Sequence, residues 1–267
     1  MTTNTELYLG DCLEFLPTVT AGSIDAVITD PPFGTGTAEW DKEPSSQVWT
    51  ELQRICPNGP ICIIGYAQQL VRWSRFFELK LIGEIIWHKY NEVKVSPGLT
   101  RAHQDIFIFG RAATQIHAER VREPYGAESL ARWYGGRAGF GETPKRLRGN
   151  ILKRGELKRN PQGRRCSDVW SIPAPGAGFN AHLRLHPNQK PDELMRRLIV
   201  LLTNEGNTVL DCYMGSGTTG VAACYLQRHF VGCELVPEYF TISKQRIAAA
   251  EMQLHLPFPP NQRIQPT

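Results

Sequence analysis

Four consecutive residues, Asp30-Pro31-Pro32-Phe33, could perform chemistry on an aromatic amine. The exocyclic amino group of adenine or cytosine is a poor nucleophile, because its lone pair is delocalised into the ring. A carboxylate and a backbone carbonyl accepting its two N–H bonds would localise that pair on nitrogen, which could then attack a sulfonium methyl in line. Asp30 supplies the carboxylate and Pro31 the carbonyl. Pro32 removes an N–H that would compete for the site and fixes the turn. Phe33 offers a stacking face for a base taken out of a duplex. The same residues also suffice as a plain strand-ending turn, since two prolines cannot continue a ladder.

A second constellation runs from Asp211 through Cys-Tyr-Met to Gly215-Ser216-Gly217-Thr218-Thr219-Gly220. Its glycines match G-x-G-x-x-G between a strand and a helix, and Glu234 closes the following strand. Such glycines let the backbone turn tightly and approach a ligand, while the acid on the second strand can hold the two hydroxyls of a ribose. This suits any adenosine-bearing cofactor, and a ligand-free strand-to-helix turn uses the same glycines. Only one βαβ unit remains after Gly220, too little chain for the second mononucleotide half of a dinucleotide site.

The elements that must position these residues follow from pattern. Residues 24–29 predict a strand, 46–55 a helix, 60–65 a buried strand, 68–77 a helix, and 81–87 and 104–109 two further strands. That rhythm disappears from Arg111 to about Pro175, a stretch rich in glycine and proline that predicts an irregular insert rather than sheet core. It returns after Pro191, with a helix over 192–203, a strand at 208–210, a helix over 219–227, a strand over 229–235 and a terminal helix over 237–255. Strands alternating with helices imply an α/β fold whose mostly parallel sheet is covered on both faces. The expected organisation is a catalytic half (1–110), a basic insert (111–175), a cofactor half (176–256) and a flexible tail (257–267).

The 267 residues can bury a full core, and 41% apolar with 21% charged is ordinary for a globular chain. No stretch reaches the ~20 apolar residues of a membrane span. The start shows no basic segment followed by an apolar run, so secretion is not indicated. Seven cysteines without a CxxC pair suggest reduced thiols in a cytoplasmic protein with no metal site. Net charge is only +4, but residues 111–165 hold 14 Lys and Arg against 5 Asp and Glu. The rest of the chain carries 16 against 21, so a mildly acidic core surrounds a strongly basic segment. That asymmetry suits a protein docking on phosphates, and equally a solvated charged loop. Arg132, Arg137, Lys145, Arg146, Arg148, Lys153 and Arg154 are its candidate DNA contacts, with Trp133, Tyr134 and Phe140 as interleaved aromatics.

Together these segments resemble the amino-group DNA methyltransferases (adenine-N6 and cytosine-N4 type) of bacteria and phages. Asp30-Pro31-Pro32-Phe33 is similar to their catalytic motif, and the loop from Asp211 to Gly220 to their cofactor motif. His186-Pro187-Asn188-Gln189-Lys190-Pro191 resembles the segment preceding that loop, and Leu9-Gly10-Asp11-Cys12 an N-terminal Gly-Asp segment. Tyr213 departs from the family's usual Phe, and Asn188 from its commoner Thr. Catalytic motif first, basic segment next and cofactor loop last is the order of the β class. The resemblance implies a Rossmann-like fold, S-adenosylmethionine as cofactor, double-stranded DNA as substrate, a flipped target base and a target-recognition role for residues 111–175; homodimers are common in the class. It further implies that Asp30 binds the target amine and Phe33 stacks on the base. Gly215, Ser216, Gly217, Thr218 and Thr219 would wrap the cofactor, with Asn188 and Lys190 near its carboxylate. Glu234 would hold the ribose, Asp11 and Cys12 would lie near the adenine, and Asp211 opens the loop. Arg101-Ala-His103-Gln-Asp105 is similar to another family segment near the active site, and equally serves as a polar start to a strand.

Competing readings remain at this point. Methylation at cytosine C5 needs a nucleophilic cysteine, typically after proline, and no Pro-Cys dipeptide occurs. Cytosine N4 would use the same geometry as adenine N6; family members acting there more often have Ser in the place of Asp30, which favours adenine. A nicotinamide oxidoreductase would read the glycine loop differently, and a non-catalytic DNA-binding module would use only the basic segment. The recognition sequence and any partner restriction nuclease are not legible.

Overall fold

Ala26–Thr29 and Ile61–Gly65 are buried at every position, as strands covered on both faces must be. They are the second and third strands (β2 and β3) of a computed structural model that describes residues 3–36, 38–95, 99–125, 160–175 and 185–254. The other strands are β1 (Thr5–Leu9), β4 (Lys80–Val95), β5 (Leu99–Gly110), β6 (Arg122–Glu123), β7 (Arg164–Arg165), β8 (Val169–Ser171), β9 (Thr208–Asp211) and β10 (His229–Glu234). The described helices are α1 (Cys12–Phe15), α2 (Ser46–Ile55), α3 (Ala67–Ser74), α4 (Asp192–Leu202), α5 (Thr218–Tyr225) and α6 (Pro237–Leu254).

Eight strands form one sheet of order β1-β10-β9-β2-β3-β5-β4-β8, and β6 pairs with β7 apart from it. Pairing is parallel throughout the sheet except where β5 runs antiparallel between β3 and β4. The expected mostly parallel sheet is therefore present. At its centre β2 and β9 lie side by side, with Ala26 opposite Val209 and Val27 opposite Leu210. From β2 the chain moves outward to β3, and from β9 it moves the other way to β10. The gap beyond the carboxyl ends of β2 and β9 is thus a topological switch point, where open α/β sheets bind ligands.

Side-chain alternation sorts the core into two layers. Ile28, Cys62, Ile64, Val209 and Phe230 face α4, α5 and α6. Val27, Ile61, Ile63, Leu210 and Val231 face α1, α2 and α3. Helix α2 shows the local logic: Ser45 caps it by accepting the Gln47 amide at 3.2 Å, and Val48, Trp49, Leu52 and Ile55 form its buried stripe. Helix α4 starts after Pro191 and buries Leu194, Met195, Leu198 and Ile199 at the same spacing.

Several elements differ from expectation. Strand β1 was not signalled, because an edge strand with alternating partial burial carries few apolar residues. The β4–β5 hairpin is longer than 81–87 and 104–109 suggest. The segment 111–175 is not wholly outside the sheet: Val169–Ser171 adds to its edge beside β4, with Val121, Trp170 and Ile172 buried in the core. The polar and glycine-rich surroundings hid so short a strand. Among the described residues no helix is long and apolar enough to cross a membrane. Of the seven cysteines, all free, only Cys166 is more than slightly exposed.

Candidate active site

Asp30 stands immediately beyond β2, Asp211 ends β9, Glu234 ends β10, and Gly10-Asp11 follow β1. Four adjacent parallel strands thereby deliver the candidate residues to one crevice. A pocket occupies it. Asp30, Pro31 and Pro32 form one wall, and Gly215, Ser216, Thr218 and Thr219 another. Asp11, Cys12, Asn188, Lys190, Asp211 and Glu234 also line it. Of the residues expected at the catalytic and cofactor positions, Phe33 and Gly217 do not reach its wall.

The glycine loop is held from three directions. Asp211 accepts the Thr29 hydroxyl at 2.8 Å, the Thr219 hydroxyl at 2.6 Å and the Tyr213 amide at 3.1 Å. Its carboxylate is thus consumed in bolting β2, β9 and α5 together, and burial pushes its pKa up to about 6 despite those bonds. Glu234 accepts the Gly215 amide through Oε2 and the Val236 amide through Oε1, both at 2.8 Å. Gly217 begins α5 at φ 76°, and a Cβ there would stand 2.7 Å from Ser243 Cβ. It packs closely against α6. Arg246 of α6 donates to the Ser216 carbonyl and, at 3.3 Å, to the Thr218 hydroxyl.

On the Asp30 side, Lys190 Nζ pairs with Asp30 Oδ2 and donates to the Asn188 carbonyl at 3.2 Å. Burial drives the Asp30 carboxyl above the usual carboxylate range, opposed by Lys190 and more weakly by Lys89. Phe33 packs against Tyr66 with ring centroids 5.1 Å apart. The backbone after Asp30 is tied down by a residue that the sequence did not single out. Asp41, 7% exposed, accepts the amides of Phe33, Gly34 and Thr35 at 3.0, 3.1 and 2.8 Å, and the Thr35 hydroxyl at 2.5 Å. Nothing local separates Asp41 from its acidic neighbours Glu39 and Glu43.

Asp11 caps α1 by accepting the Leu13 amide at 2.8 Å. The Cys12 thiol donates to the Tyr213 hydroxyl at 3.3 Å, and burial raises its pKa to about 11, so it stays a thiol. Trp40 and His186 also line the pocket and group with Tyr239, which lies 4.1 Å from His186 centroid to centroid. His186 was visible only as part of a motif, and Trp40 and Tyr239 gave no signal. In the segment 101–105, the Arg101 guanidinium lies 4.1 Å over the Tyr66 ring. Asp105 caps α3 through the Ala67 amide at 2.8 Å. Arg132, Arg137, Lys145, Arg146, Arg148, Lys153 and Arg154, with Trp133, Tyr134 and Phe140, lie outside the described residues.

A model of the family described as "DNA methylase" matches residues 24–245, spanning both walls of the pocket. The type II methyltransferase M1.MboII of Moraxella bovis is 27% identical over 257 residues, covering 86% of this chain and 91% of that protein. The type II methyltransferase M2.DpnII of Streptococcus pneumoniae is 26% identical, covering 90% and 88%. Among solved structures, the M1.HpyAVI–SAM complex aligns with TM-score 0.55 at 23% identity over 91% of this chain and 99% of that one. The PvuII DNA methyltransferase, described as cytosine-N4-specific, aligns with TM-score 0.62 at 17% identity over 95% and 93%.

Proposed function

The chain belongs to the DNA methylase family, and on that premise we propose that it methylates the exocyclic N6 amino group of adenine in double-stranded DNA. The observation that carries this reading is the meeting of Asp30 with the Glu234-tied glycine loop in one pocket at the sheet's switch point. The cofactor is S-adenosylmethionine, which supplies an electrophilic methyl group on sulfur. The donor set fits it: Glu234 offers a carboxylate to a ribose diol, and the loop 215–219 offers close backbone to the amino-acid end. Asp11 and Cys12 border the adenine end.

Asp30 accepts one N–H of the target amine and the Pro31 carbonyl the other, so the nitrogen lone pair points along the line of attack. Bound there, the cofactor would supply the methyl group and keep the displaced electron pair on its sulfur, while the surplus proton of the amine would pass by way of Asp30 to solvent. Reaching this pocket requires the base to leave the duplex, and Phe33 and Tyr66, packed on each other outside the pocket wall, are the aromatic pair adjoining Asp30-Pro31-Pro32. The basic segment 111–175 recognises the target, its cations meeting phosphates and base edges. A protein acting on such DNA works in the cytoplasm of a bacterial or phage-infected cell. It is expected to form a homodimer, which light scattering tests.

Cytosine N4 is the second reading, since the same two acceptors would serve its amine. The test is to incubate the protein with labelled S-adenosylmethionine and unmethylated DNA, then digest to nucleosides. Label in N6-methyladenine is expected. Label in N4-methylcytosine would move the target base, and no labelled nucleoside on varied sequences would sink the proposal.

A further inference from the structure

Among the described residues four buried side-chain polar atoms lack a hydrogen-bond partner, and only one, Asp30 Oδ1, belongs to an ionisable group. An unpaired buried acceptor is costly, so its persistence asks for an occupant. The other oxygen of the same carboxylate is taken: Lys190, 8% exposed, holds Oδ2. Lys190 is itself steadied by the Asn188 carbonyl at 3.2 Å, and Pro191 leads directly into α4. The ammonium therefore reaches Asp30 from a short rigid segment, and a carboxylate with one oxygen pinned cannot rotate to find the other a partner within the protein.

We propose that Lys190 is a positioning residue which, by fixing Asp30 Oδ2, presents Oδ1 as the open acceptor for the target amine. This rests on the reading of Asp30 as the amine acceptor, and it reassigns Lys190 away from the cofactor carboxylate, where the family resemblance would put it. Charge supports the geometry. Lys190 and Lys89 act on Asp30 from one sign, and the buried Asp211 nearby is the opposing acid. Without Lys190, burial would favour the protonated carboxyl, a weaker acceptor than the carboxylate and one that carries an O–H donor.

The two roles separate in one experiment on Lys190→Met. Calorimetry measures binding of S-adenosylhomocysteine, which has the amino-acid end, and of 5′-methylthioadenosine, which lacks it. Single-turnover transfer is followed against pH on DNA that the wild type modifies. The positioning role predicts both dissociation constants within about threefold of wild type and transfer slowed about 100-fold or more. It also predicts an acid limb moved to higher pH, and Lys190→Arg recovering most of the rate. Weakening of S-adenosylhomocysteine by tenfold or more, with methylthioadenosine unchanged, would assign Lys190 to the cofactor carboxylate and overturn the inference. An unchanged transfer rate would overturn it equally. Should the Met variant fail to fold, Lys190→Gln keeps a donor for Oδ2 without the charge. The positioning role then predicts both ligands bound as by wild type, a smaller loss of rate and an acid limb moved to higher pH, and selective weakening of S-adenosylhomocysteine again overturns it. A wild type that methylates no DNA defeats the proposed function instead, and the binding arm is read without any transfer.

Discussion

Asp41 accepts the main-chain N–H of Phe33, eight positions before it, at 3.0 Å. With the Gly34 and Thr35 amides it forms a small anion nest, whose occupant is the protein's own carboxylate. The backbone that carries the Pro31 carbonyl is thereby fixed from its far side.

Asp41→Ala should therefore slow transfer about 10–100-fold, as a misplacement near 1 Å does, while S-adenosylhomocysteine binding stays within about threefold. Steady-state kinetics beside calorimetry checks this. Equal losses in both would mean that Asp41 supports the cofactor pocket rather than the catalytic turn.

Glu234→Gln keeps the shape but gives the Gly215 and Val236 amides only one good acceptor between them. Cofactor affinity should fall at least tenfold, about 1.4 kcal/mol, with a stability loss of about 1–3 kcal/mol from the amide left unpaired. Titration calorimetry and urea unfolding read the two effects separately.

The pH dependence of stability should carry the mark of Asp211. Burial lifts its carboxyl from an ordinary 3.8 to about 6, so between those values the native state holds the proton more tightly than the unfolded chain. Its contribution to stability is full below pH 3.8 and lost as pH rises through about 6. Asp211→Asn removes that dependence, and its melting temperature should gain on wild type from pH 4 to 7. A gap that stays flat or narrows over that range would contradict the assigned shift.

Gln227, exposed at the end of α5, adopts a left-handed φ of 61° that a side chain resists. Gln227→Gly should stabilise the fold by about 1 kcal/mol. Urea denaturation would show the gain as a higher midpoint with an unchanged slope.

How much of this was legible depends on where the signal lay along the chain. Strands β2 and β3 announce themselves as short apolar runs closed by proline or glycine, and Asp30 and Glu234 mark their own strand ends. Strand β8 is three residues with one buried side chain, and no periodicity can show in three residues. Asp41 and Arg246 act on backbone groups brought near by folding, so their neighbours in sequence say nothing of their partners. Asp211 was legible as a site residue, but its three bonds within the scaffold were not. Gly217 was legible by its spacing, but the close approach of Ser243, 26 positions on in the chain, was not.

The pairing of β1 with β10 also bears on how the chain is made. Leu9 leaves the ribosome about 220 residues before His229 can follow. At roughly 5–20 residues per second, the first strand waits on the order of 10–40 s for its partner. Asp30 likewise waits for β9 and the Lys190 segment. A nascent chain therefore cannot assemble the pocket early, and products stalled or truncated before β10 should neither bind cofactor nor methylate DNA.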